Sequence, residues 1–136
     1  MAATFGLLLA APAASGESGE SGESVGHDFY LTYCAACHGL EAEGNGPVAD
    51  ALIVRPPNLT NLTRRFGMPL PRDKVAEYID GRRDVRAHGS REMPVWGERF
   101  QEDLVGLPAT EDTTRRIIES IVDYLVSIQQ IRGAAR

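Results

Sequence analysis

The chain has two cysteines, and both fall in one five-residue run, Cys34-Ala35-Ala36-Cys37-His38. Two residues between the thiols and a histidine directly after the second is the spacing of covalent haem attachment. Each element has a chemical reason. The sulfurs add across the two haem vinyl groups as thioethers, and a helical turn sets their separation. The histidine then lies under the ring and ligates iron from one face. Other uses of a cysteine pair fit less well. A dithiol redox site wants a βαβ pattern around it, and none surrounds this run. A structural zinc site takes four ligands, and there is no second cysteine pair. A disulfide between cysteines this close would constrain little. The expected cofactor is therefore one haem c, covalently held through Cys34 and Cys37, with His38 on the iron.

At 136 residues the chain has room for one domain. A core of that size is modest, and a large apolar cofactor would add to it substantially. Fourteen basic residues stand against nineteen acidic ones, a net charge of −5. That argues against a nucleic-acid binder, which needs a basic surplus. All the basic residues except Lys74 are arginine. Guanidinium groups fork onto carboxylates, which suits the two haem propionates, although arginine-rich surfaces also occur without haem.

Residues 2–14, AATFGLLLAAPAA, are apolar but shorter than the ~20 residues a bilayer span needs. They read as the apolar region of a secretory signal, with Ala11-Pro12-Ala13 as the small-residue site and cleavage before Ala14. No basic region precedes them, so a plain apolar tail is the other reading. Covalent haem assembly takes place outside the bacterial cytoplasm, which agrees with export to the periplasm. Residues 15–24 repeat Ser, Gly and Glu and have nothing to bury, so they read as a flexible linker. If an apolar anchor stayed uncleaved, this linker would tether the protein; otherwise membrane contact comes only through partners. The folded domain is expected over residues 25–136.

The segment 33–47, YCAACHGLEAEGNGP, resembles the haem-binding stretch of class I, mono-haem cytochromes c of the bacterial periplasmic type. The resemblance continues through PPNLT at 56–60, an amphipathic stretch, MPVWG at 93–97 and a C-terminal helix. It covers about residues 25–134. It implies an all-α cytochrome c fold, three to four main helices wrapped around one haem, and no strand pattern of any length contradicts it. It also places the second axial ligand at Met93, followed by Pro94 in a Gly- and Pro-rich loop. Methionine opposite histidine raises the potential by favouring ferrous iron. Met68, before Pro69, is the rival, but it would have to cross to the distal side early. His88 would make a bis-histidine site, and a vacant sixth position would suit gas binding or peroxidase chemistry. His27 reads as a solvated helix residue.

Three further residues are candidates for haem contact. A metal-bound histidine normally donates its other ring N–H to a carbonyl, and the resemblance implies that Pro47, in Gly44-Asn45-Gly46-Pro47, supplies it. Arg55, ahead of Pro56-Pro57, is a candidate partner for a propionate or an ordinary surface arginine. Trp96 either offers its indole N–H to a propionate or packs as a core aromatic.

Helical periodicity predicts a first helix over residues 25–37, capped by Ser24, with Gly26 and Tyr30 on the face that carries Cys34. A second is expected from Arg72 to Asp80, burying Val75, Tyr78 and Ile79 and stopping at Gly81. A third is expected from Glu111 to Gln130, with Thr110 as N-cap and Glu111 and Asp112 at its positive end. Ile117, Ile118, Ile121, Val122, Leu125 and Ile128 form its apolar face. The resemblance implies that the first and last helices cross, with Gly26 and Tyr30 meeting Ile121 and Tyr124.

The expected function is single-electron transfer, with no catalytic residue. Iron would cycle between two oxidation states while the chain sets its ligands, burial and hydrogen bonds. The expected partners are redox proteins: an oxidase, reductase, dehydrogenase or photosynthetic complex, met in small, brief encounters. Steering would come from Arg82, Arg83, Arg86 and Arg91, and a monomer is the default. The alternatives are a dedicated haem subunit of a periplasmic dehydrogenase and, further off, a haem enzyme or gas sensor.

Overall fold

The computed structural model describes residues 22–82, 93–102 and 110–130. The apolar segment 1–14 and residues 15–21 lie outside that range, as do Arg83, Arg86, His88 and Arg91. Among the described residues six α-helices follow in order: α1 Gly22–Tyr33, α2 Ala35–His38, α3 Leu62–Phe66, α4 Arg72–Asp80, α5 Trp96–Glu102 and α6 Glu111–Ser127. No strand occurs among the described residues, so the described fold is all-α. The short helices α3 and α5 are not among those the sequence predicts, because neither is long enough to repeat its apolar positions over several turns.

The helix with the clearest apolar stripe, α6, supplies more of the buried core than any other described helix. Thr110 caps it, its Oγ1 accepting the N–H of Thr113 at 3.2 Å. Ile117, Ile118, Ile121, Val122 and Leu125 are buried along one face. The helix ends at Ser127 and not at Gln130, because its last side chains are used elsewhere. Gln129 Nε2 donates to the carbonyls of Leu59 and Leu125, 2.7 Å each, and its Oε1 accepts the N–H of Thr63 at 3.1 Å. The N–H of Gln130 donates to Thr60 O at 2.8 Å. These bonds stitch the end of α6 to residues 59–63.

The most extensive helix pairing is α1 on α6. Gly26 makes it possible: a Cβ there would lie 1.8 Å from Ser120 O and 2.5 Å from Ser120 C. The two backbones therefore touch at Gly26. Tyr30 is fully buried beside this point, its ring centroid 5.0 Å from that of Tyr124. His27 also packs on Tyr124, at 4.8 Å, and is half-buried where the sequence suggested a solvated residue. The first helix departs from expectation at both ends. It begins at Gly22, so Ser24 lies inside it and does not cap it, and three residues of the Ser-Gly-Glu repeat are helical. Glu23 in its first turn suits the positive helix end. It stops at Tyr33, and Cys34 serves as N-cap of α2 with φ −113° and ψ −34°.

α4 behaves as the sequence predicts. Val75 and Ile79 are buried, Tyr78 is half-buried, and Gly81 closes the helix with φ +67°. α4 packs along α6, where Arg72 pairs with Asp123. α5 reaches α1 through aromatic rings. Tyr33 lies 5.1 Å from Phe100 and 5.7 Å from Trp96, and Trp96 and Phe100 stack at 5.5 Å.

Candidate cofactor site

The turn carrying the two thiols and the imidazole is built by backbone hydrogen bonds converging on Cys34. The Cys34 carbonyl accepts the N–H of both Cys37 (3.1 Å) and His38 (2.9 Å), while the Cys34 N–H still donates to Tyr30 O at 2.8 Å. The turn thus hangs directly from the end of α1, whose position α6 fixes. Tyr30 holds its far side, donating from its hydroxyl to Gly39 O at 2.6 Å. Burial is the main reason the Tyr30 phenol is pushed above its usual range. Both cysteines are free thiols, Cys34 buried and Cys37 half-buried. Burial, and secondarily the neighbouring Cys37, push the Cys34 thiol up to about 12.

His38 is buried. Its Nδ1 lies 3.2 Å from the carbonyl oxygen of Pro57. A carbonyl can only accept, so Nδ1 carries the proton and Nε2 keeps its lone pair. Burial lowers the His38 pKa, and the Pro57 carbonyl opposes that in part. Nε2 makes no hydrogen bond to a described residue. A neutral, oriented imidazole with one nitrogen tied to a carbonyl and the other uncommitted is the form a metal-ligating histidine requires. Among the described residues no three His, Cys, Asp or Glu side chains converge as they would around a bare metal ion. Two free thiols and an imidazole held by its Nδ1 are a donor set that a haem c would use, its vinyl groups taking the sulfurs and its iron the Nε2 lone pair.

The carbonyl that meets His38 belongs to Pro57, not to Pro47, and the path of the loop explains why. Gly44, Gly46 and Val48 spend their N–H groups on the turn. Gly44 donates to His38 O (2.7 Å), Gly46 to Cys37 O (3.1 Å) and Val48 to Ala36 O (3.1 Å). A Cβ on Gly46 would lie 2.4 Å from Ala36 O and 2.6 Å from Cys37 C, so only glycine lets the loop lie against α2 here. Pro47 continues this wrap with its ring exposed. Leu59 N–H donates to Ala42 O at 2.7 Å, which draws the 56–60 segment against the same loop and brings Pro57 O to the imidazole. Asn58 braces that segment, its Oδ1 accepting from Thr60 N (2.8 Å) and Thr60 Oγ1 (2.6 Å).

The remaining candidates divide. Trp96 is half-buried in the ring cluster with Tyr33, next in sequence to Cys34, so α5 sits beside the thiol-bearing turn. Met93, just before α5, is half-buried and packs against the core. Met68 is 63% exposed. The Arg55 side chain is 71% exposed and lies 3.4 Å from Asp50. Arg82 is not available for steering, because Asp80 and Glu111 occupy its guanidinium. The chain matches no protein-family model and no curated protein.

Sequence reasoning missed two contributors, Pro57 and the Tyr30 hydroxyl. The first had a visible signal: a Pro-Pro pair ahead of Asn-x-Thr, an extended segment followed by a side-chain-capped turn. The second had none, because the Gly39 carbonyl faces Tyr30 only after the turn is formed.

Proposed function

We propose that this chain is an exported single-electron carrier with a cytochrome c fold, binding one haem c covalently through Cys34 and Cys37, with His38 and Met93 as axial ligands. The observation that carries this reading is His38, neutral and buried in the C-x-x-C-H turn, Nδ1 on the Pro57 carbonyl and Nε2 uncommitted. When bound, the haem supplies an iron that gains and loses one electron. The chain's own residues do the rest. Pro57 fixes the imidazole plane and raises its basicity as a ligand. The Gly44–Gly46 wrap and the Tyr30 hydroxyl hold the turn rigid, which limits ligand movement between oxidation states. Half-buried Met93 is the better sixth ligand than exposed Met68, since thioether ligation favours ferrous iron in a site shielded from water. No acid, base or nucleophile is needed. Partners would be periplasmic or membrane redox proteins that meet an exposed haem edge briefly.

Optical spectroscopy of the matured protein tests this. Covalent haem survives acid–acetone extraction, and the ferric protein shows the weak far-red sulfur–iron band. Met93→Ala removes the band and Met68→Ala leaves it. A colourless matured protein, or pigment lost to the solvent, would falsify the haem reading. Loss of the band in Met68→Ala would move the ligand assignment to that residue.

A further inference from the structure

Both ends of α5 are held by one group of charges. Arg82 donates from Nε to Asp80 Oδ1 (2.7 Å) and from Nη2 to Asp80 Oδ2 (2.6 Å). The same guanidinium reaches Glu111, with Nη1 to Oε2 and Nη2 to Oε1 at 2.7 Å each. Gln101, in the last turn of α5, donates to Glu111 Oε2 at 2.9 Å. At the other end of α5, Gly97 rests on the ion pair. A Cβ there would lie 2.3 Å from Arg82 Nε and 2.5 Å from Asp80 Oδ1. Gly81 lies within ordinary contact distance of the residue before α5, a Cβ there falling 3.4 Å from Val95 Cα. The end of α4, the start of α6 and both ends of α5 therefore share one node. Its inner pair is well shielded, with the Asp80 and Arg82 side chains 25% and 28% exposed.

An isolated surface ion pair contributes little, but a forked guanidinium serving two carboxylates fixes geometry as well as charge. Here the geometry it fixes is that of α5. Only Pro94 and Val95 separate α5 from Met93.

We propose that the Asp80–Arg82–Glu111 node is a positioning device for Met93, seating α5 so that the thioether stays on the iron. This rests on Met93 being the sixth ligand. A bridge that merely stabilised the fold would weaken every part of it alike. A positioning node makes the sixth ligand labile while His38 and the thioether links are untouched.

The test uses the matured haem-loaded protein, with carbon monoxide binding to the ferrous form as probe. In Arg82→Gln the far-red band weakens and carbon monoxide binds about tenfold faster or more, the size of an ordinary coupling between two sites. Covalent haem content does not change. Gly97→Ala, which leaves every charge in place but lifts α5 from the pair, shifts both readouts the same way. Arg72→Gln is the comparison, since it removes the Arg72–Asp123 pair between α4 and α6 without touching α5. If Arg82→Gln fails to fold, Glu111→Gln replaces it. The proposal is overturned if the node variants melt earlier yet keep the band and carbon monoxide rate of Arg72→Gln. Met93→Ala, run in parallel, separates the two readings: if the band survives that change, the ligand assignment has failed and the node's role with it.

Discussion

Replacing Gly26 by alanine puts a methyl group 1.8 Å from Ser120 O and 2.5 Å from Ser120 C. Both are backbone atoms, so no rotamer relieves the contact. Ordinary carbon contacts lie at ~3.5–4.0 Å, so α1 and α6 must move apart by about 1.5 Å. A gap of ~1 Å already forfeits up to half of the dispersion energy of facing atoms. The side chains at the crossing include Tyr30, Ile121 and Tyr124, and burial of a large apolar side chain is worth ~1.5–3 kcal/mol. Losing between a third and a half of that for three residues costs about 3 kcal/mol. Alanine recovers ~1 kcal/mol because it is the better helix former. The net destabilisation is about 2 kcal/mol, a fall in melting temperature of ~8 °C for a domain of this size. Thermal unfolding followed by far-ultraviolet circular dichroism measures it. The sign is decisive. In a helix that packed less closely the same substitution would raise the melting temperature, so an unchanged or higher value refutes the backbone contact.

Tyr30→Phe leaves the Gly39 carbonyl without its 2.6 Å donor and costs ~1–3 kcal/mol; an unmoved urea midpoint would show that the bond contributes nothing. In haem-free protein at about pH 8, Cys34 reacts with iodoacetamide much more slowly than half-buried Cys37, because burial keeps its thiol protonated. Equal labelling by mass spectrometry would contradict the burial of Cys34. Glu111 is held below its usual range first by its hydrogen bond to Arg82, and Asp112 by Arg115. A carboxyl depressed in the folded state contributes stability above its unfolded pKa and loses it as pH falls through the folded one. Stability should therefore drop below about pH 4.5, less steeply in Arg82→Gln and in high salt, because these carboxylates are exposed. Urea titrations from about pH 6 to about pH 3 check this; identical slopes for wild type and variant would refute the coupling.

Parts of this structure could be read directly from residues. The five-residue motif is legible because both cysteines and the following histidine fall in one short run. Helices α4 and α6 are legible because Gly81 and Thr110 mark an end and a start, and isoleucines recur between turns at helical period. The α1–α6 crossing is expected only through the resemblance that matches Gly26, Tyr30, Ile121 and Tyr124; periodicity alone does not pair the two helices. Other features arise only in three dimensions. The break at Cys34 is a change of backbone dihedral with no periodic signature. The early end of α6 follows from Gln129 bonding to residues far back in the chain. Which proline faces His38 depends on how the loop after the motif lies against α2. Arg82 reads as a surface charge until Gly97 is seen to let α5 rest on it.

The pairing of α1 with α6 also bears on the order of assembly. The two helices of the most extensive pairing lie far apart in sequence, so their contact is among the most distant in the chain and its closure is slow. A polypeptide emerging from its N-terminus presents the motif long before the partner helix exists. During that interval the two thiols lie in an open segment; afterwards Cys34 is enclosed. The order in which the chain folds thus sets how long the Cys34 sulfur stays open to chemistry.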